Sequence, residues 1–262
     1  MGKTLSISHK IAFAAMLLAF NILATRLLGF VQPAPIFSFN RLGISSAITI
    51  FSSIFLGPVF GCVVGVGGDA LGWLLMGQWT GTFNVFLSVY YALIGIVPYF
   101  MVRLFGKKLE SKSSIIVLLG LLSVLFISML SFLWLDNSLG YRIEGWNVNL
   151  LGARIFVTCL CSILFAALIA FLIIFKKRRK ATEVGMIYWT CAAVELLAIF
   201  AKPLAFYLFC LVFLGTDIEN AWHVSYSMLV MLSCVFAIPD LIINVIGLRL
   251  LFWSSKEVVR IL

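Results

Sequence analysis

Charge is what this chain has least of. Only 11% of its 262 residues are Asp, Glu, Lys or Arg, where a soluble domain carries about a quarter. Too few charged side chains remain to cover a water-facing surface, so an aqueous enzyme is excluded. Histidine is almost missing too, with only His9 and His223. No Gly-x-Ser-x-Gly, His-Glu-x-x-His or phosphate-binding loop occurs; Gly2-Lys3-Thr4 lacks the upstream glycine of such a loop. Gly65-Val66-Gly67-Gly68 lacks the third glycine of a dinucleotide fingerprint and follows no strand. Neither intramembrane proteolysis nor ATP hydrolysis by this chain is expected, and no cofactor or metal is implied. If ATP drives it, another subunit binds the ATP. The six cysteines lie in apolar runs without Cys-x-x-Cys spacing and read as small hydrophobes.

What fills the chain is apolar residues, 63% of it, with a mean hydropathy of +1.15. At ~20 residues per membrane-spanning helix, this supplies about eight spans and leaves little for an extramembrane domain. Runs bounded by charge, proline or glycine give spans at approximately 11–31, 43–57, 58–76, 84–102, 114–135, 153–175, 186–214 and 224–253. The fold expected is an all-α integral membrane protein, one transmembrane domain over residues 1–262. Residues 1–30 begin like a secretory signal, but Arg26 and the lack of a small-x-small cleavage site favour a retained first helix.

The basic residues orient the chain. With the N-terminus inside, the inner connections hold Lys3, Lys10, Arg103, Lys107, Lys108, Lys112, the run Lys176–Lys180, Lys256 and Arg260. Because cytoplasmic loops carry the Lys/Arg excess, both termini are expected in the cytoplasm. The net charge of +9 is thereby topological and directed at anionic lipid headgroups, not at nucleic acid.

Spans two and three are separated only by Gly57-Pro58. Residues 43–57 cover about 22 Å, short of the ~30 Å hydrocarbon core, so a recess is expected on the outer side. The polar segment Gln32 to Arg41, with Pro33 and Pro35, would cap it. Span three carries Gly57, Gly61 and Gly65, then Gly68 and Gly72, a spacing that lets helix backbones approach closely.

Ionisable groups inside spans are costly and mark functional candidates; here they are Arg26, Asp69, Glu195, Lys202 and Asp240. One reading is that they neutralise one another between helices. Glu195 and Lys202 are two turns apart, roughly 10 Å, so their partners are expected on other helices. Arg26 and Asp69 are placed to pair beneath the cap. The outer half also gathers Trp73, Trp79, Asn84, Trp134, Trp146, Asn147 and Asn149. These tryptophans read either as an interfacial aromatic belt or as rings stacking on a flat heterocycle whose polar edge meets asparagine and arginine. Arg41, Asn40, Asn84, Trp79, Arg26 and Asp69 form the candidate ligand-binding set.

The order Ala12-Phe-Ala14-Ala15-Met-Leu-Leu-Ala19, Ala24-Thr-Arg26, Arg41-Leu-Gly-Ile-Ser, Phe55-Leu-Gly57-Pro58-Val-Phe-Gly61 and Gly68-Asp69-Ala-Leu-Gly72 resembles the substrate-binding membrane subunit, or S component, of energy-coupling factor (ECF) transporters, nearest the folate-type vitamin branch. The resemblance covers about residues 10–105, with a weaker echo at Ile238-Pro239-Asp240. It implies capture of a vitamin or related micronutrient from outside, beneath the loop joining the first two helices. It further implies docking on a transmembrane coupling subunit bound to two ATPase subunits, tipping in the bilayer to release cargo, and a prokaryotic plasma membrane. The family's docking Ala-x-x-x-Ala on helix one is matched by Ala15 and Ala19. Those S components usually have six spans where eight are counted here, so a bundle of 6–8 helices is expected. A reading from another class is a self-sufficient ion-coupled carrier using Asp69, Glu195, Lys202 and Asp240 as a relay.

Overall fold

A computed structural model of the protein describes residues 6–26, 30–31, 41–42, 44–76, 83–105, 182–215 and 226–261, with isolated helical positions between 123 and 166. Apart from one two-residue ladder, the described residues are helical. The helices are α1 (Ile7–Arg26), α2 (Ser45–Leu56), α3 (Pro58–Met76), α4 (Val85–Phe105), α5 (Thr182–Phe209, running on as a π-helical turn Cys210–Leu214) and α6 (Tyr226–Ile261). The expected spans 114–135 and 153–175 lie almost wholly outside the described residues.

Among the described residues, four helices are long and apolar enough to cross a membrane: Ile7–Thr25, Pro58–Leu75, Val85–Arg103 and Thr190–Leu214. Their outward faces are apolar as well, with Val59, Leu74, Leu75 and Phe213 all exposed. A water-facing bundle shows the opposite pattern, so this exterior is that of a membrane protein.

The boundaries follow local chemistry. The Ser6 Oγ accepts the His9 N–H at 3.4 Å and also meets the His9 ring, capping α1 several residues before the apolar run begins. Lys256, Glu257 and Arg260 form helix readily, so α6 continues past the apolar run that closes at Trp253 to Ile261. Between α2 and α3, Gly57 adopts φ 113° and ψ 169°, backbone open essentially to glycine. Pro58 then takes the first helical position of α3, where its missing N–H costs nothing.

The short helix α2 is the centre of the bundle. Every residue from Ser46 to Ser53 is buried, as befits a helix surrounded on all sides. It packs against α1, α3, α4 and α6. One apolar cluster joins Ala47 and Ile50 to Tyr90, Ile94, Val194 and Leu248; the other joins Ile48 and Phe51 to Leu17 and Val64.

Glycine makes these approaches possible. A Cβ on Gly61 would strike the Gly95 carbonyl and, at 2.7 Å, the Ser53 backbone. One on Gly65 would meet the Tyr91 carbonyl at 2.5 Å and Thr49 at 3.0 Å. The spacing read in the sequence is therefore a packing seam, with α3 pressed between α2 and α4.

Candidate functional site

At the end of the bundle where α1 finishes, Phe30 pairs with Leu42 and Val31 with Arg41 in an antiparallel ladder. The segment leaving α1 thus returns to α2 as a hairpin. The contacts Ser53 with Gly61 and Thr49 with Gly65 run α2 antiparallel to α3, so the same spacing sets Ser45 opposite Asp69. Helix α3 continues from there to Met76, about 10 Å further. The N-terminus of α2 therefore starts below the end of α3 and level with the end of α1, where Thr25 meets Ser45.

Of the candidate ligand-binding residues, Asp69 and Asn84 have described side chains. The Ser88 Oγ donates to Asp69 Oδ2 at 2.6 Å, linking α3 to α4 beside the recess. Asn84 is the N-cap of α4: its Oδ1 accepts the Phe86 and Leu87 N–H groups at 3.0 and 3.3 Å, and its Nδ2 donates to the Ala205 carbonyl at 3.4 Å. A ligand would have to share that amide with the protein. Arg26 ends α1 and Arg41 stands in the ladder, but their side chains, and Asn40 and Trp79 entirely, lie outside the described residues. So does the expected Arg26–Asp69 pair. Trp73 packs against Phe83 with ring centroids 5.3 Å apart. Ala15 and Ala19 are exposed on α1 while Ala14 is buried.

Beneath the recess lies a polar layer that the sequence reading overlooked. The Asn21 Nδ2 donates to the Val64 carbonyl at 2.9 Å and to Thr49 Oγ1 at 3.4 Å, while its Oδ1 accepts from Ser45 Oγ at 2.6 Å. Thr25 Oγ1 donates to the Asn21 carbonyl at 2.6 Å and lies 3.0 Å from Ser45 Oγ. Asn21 thereby ties α1 to both α2 and α3. Its signal in the sequence is a lone carboxamide within the apolar run of α1.

A second layer brings together three of the five ionisable candidates. Lys202 on α5 lies 4.0 Å from Asp240 on α6, and its ammonium sits 5.7 Å above the Tyr90 ring of α4. Glu195, two turns earlier on the same face of α5, accepts from Asn244 Nδ2 at 2.8 Å. Asn244 Oδ1 in turn accepts the Ala47 N–H at 3.0 Å. That N–H belongs to the first turn of α2, which has no side-chain cap of its own. Partners on neighbouring helices are what the two-turn separation of Glu195 and Lys202 required. Asp69, on α3, meets Ser88 of α4.

Comparison with protein-family models, with curated proteins and with solved structures finds no match. The functional reading therefore rests on this chain's own residues.

Proposed function

We propose that the protein is the solute-binding membrane subunit of an ECF-type transporter, taking a vitamin-like small molecule into the recess above α2 on the outer face. The observation that carries this reading is the buried, 12-residue α2 that starts below the end of α3, at the end of the bundle where the hairpin Phe30–Val31/Arg41–Leu42 lies. Clefts between bundle helices with a few fixed polar groups are where small ligands bind. Asp69 supplies a polar group beside it and Trp73 a flat surface, and this reading assigns Arg26, Arg41 and Trp79 as further contacts. The sequence holds no nucleotide-binding loop, which fits a subunit energised by a coupling subunit and two ATPases. Ala15 and Ala19, exposed on α1, provide the small-residue stripe for that docking.

The test is calorimetric titration of the purified protein with a panel of vitamins and nucleobases. Saturable binding of one compound is expected, weakened about tenfold or more in Arg41→Ala or Asp69→Asn, the loss of a charge-assisted hydrogen bond. Absence of saturable binding across the panel would sink the proposal.

A further inference from the structure

Hydrogen-bond donors run out where the end of α1 meets the start of α2. The side chains of Asn21, Thr25, Ser45 and Thr49 form one network, and each of their hydrogens has a destination. Asn21 spends both amide hydrogens, one on the Val64 carbonyl at 2.9 Å and one on Thr49 Oγ1 at 3.4 Å. That orientation is fixed, because the Val64 carbonyl only accepts. Gly68 lets the amide close in on α3, since a Cβ there would strike Asn21 Nδ2. Thr49 gives its hydroxyl hydrogen to the Ser45 carbonyl at 3.1 Å. Ser45 gives its own to Asn21 Oδ1 at 2.6 Å, and Thr25 gives its own to the Asn21 carbonyl, also at 2.6 Å.

One contact is then left without a hydrogen. Thr25 Oγ1 and Ser45 Oγ lie 3.0 Å apart, and the hydrogens of both already point elsewhere. Two hydroxyl oxygens at that distance face each other through lone pairs unless a donor from outside lies on both. Both residues are half-buried, at the level where α2 starts and α3 carries on past it. The register of α2 on α3 sets Asp69 opposite Ser45, and its carboxylate, which accepts from Ser88, is a further acceptor at this level. Its negative charge also offsets the positive end of α2, so a donor group is not repelled there.

We propose that the solute enters nitrogen first: an amine or amidine group carrying at least two hydrogens gives one to the Thr25–Ser45 pair and one to Asp69. A carbonyl, a carboxylate or a quaternary nitrogen has no hydrogen to give and is refused at this point, because it leaves the paired oxygens unmet. The inference rests on the recess being a solute site and adds the chemical class of the cargo.

The experiment follows the thermal midpoint of the purified full chain as methylammonium chloride, or in a second series NaCl, replaces tetramethylammonium chloride at constant pH and ionic strength. Methylammonium offers N–H groups, tetramethylammonium the same charge without them, and Na⁺ a bare cation. A saturable rise of about 2–4 °C or more is expected in methylammonium alone. Thr25→Val should remove it, and Thr25→Ser, which keeps the oxygen, should retain it. Asp69→Asn should shrink it from the α3 side. An equal rise in Na⁺ would overturn the proposal in favour of a metal cation, and no rise in either series in favour of water alone. A rise undiminished in folded Thr25→Val or Asp69→Asn would place the effect elsewhere and overturn the site. The solute reading is judged separately, by the vitamin and nucleobase panel. If the compound that binds lacks an N–H group, or binds Thr25→Val as tightly as wild type, the donor proposal fails and the solute site stands. If no compound binds while the methylammonium rise holds, the donor site stands and the solute reading fails.

Discussion

Asn244 on α6 holds Ala47 on α2 by a 3.0 Å hydrogen bond across 197 residues of sequence. The bond satisfies a backbone donor that α2 leaves open, and the same side chain gives its amide to Glu195. Replacing it with Leu strands a buried N–H and a buried carboxylate together. At about 1–3 kcal/mol for each unsatisfied group, Asn244→Leu should lower the thermal midpoint well beyond the effect of a surface change such as Trp253→Phe. Equal midpoints for the two variants would show that the bond does not hold α2.

The seam between α3 and α4 makes a steric prediction. Because a Cβ on Gly61 meets backbone on two sides, neither neighbour yields by a rotamer change. Gly61→Ala should destabilise by about 1–3 kcal/mol, read as a lower melting temperature or as aggregation on size exclusion. Gly67→Ala meets only the Leu18 side chain, at 3.0 Å, and should cost less.

Lys202 and Asp240 form a buried pair whose partners depend on each other. Lys202→Met leaves the carboxylates without their ammonium and should cost about 3–5 kcal/mol. Lys202→Met combined with Asp240→Leu should recover part of that loss. A double-mutant cycle with no coupling would show that the 4.0 Å approach contributes nothing.

On the exposed face of α1, Ala15→Trp or Ala19→Trp fills the stripe without touching the recess. Uptake in cells should be abolished while solute binding by the purified variant is kept. Uptake that persists would exclude this face as the docking surface.

Much of this architecture was legible in the sequence because apolar runs and glycine spacing act locally. Span 58–76 coincides with α3, and the Gly57-Pro58 break and the shortness of α2 follow from a backbone shape and a residue count. The helix ends were less legible. The Ser6 cap extends α1 backwards and the charged residues after Trp253 extend α6, both outside the apolar pattern. Least legible were Asn21 and Asn244: a carboxamide in an apolar run shows that a partner exists, but which carbonyl or carboxylate it meets depends on helix crossings set by the glycines. Asn84 illustrates the converse, since a polar residue placed for a ligand also serves as the cap of its own helix.

Under the proposed function this chain binds a solute and leaves the energy to partners. Its most direct test is uptake into sealed vesicles containing the purified chain alone, then the chain with a coupling subunit and two ATPases. Solute binding but no accumulation is expected of the chain alone under any proton or Na⁺ gradient, and ATP-dependent accumulation once the partners are present. Gradient-driven accumulation by the chain alone would contradict it.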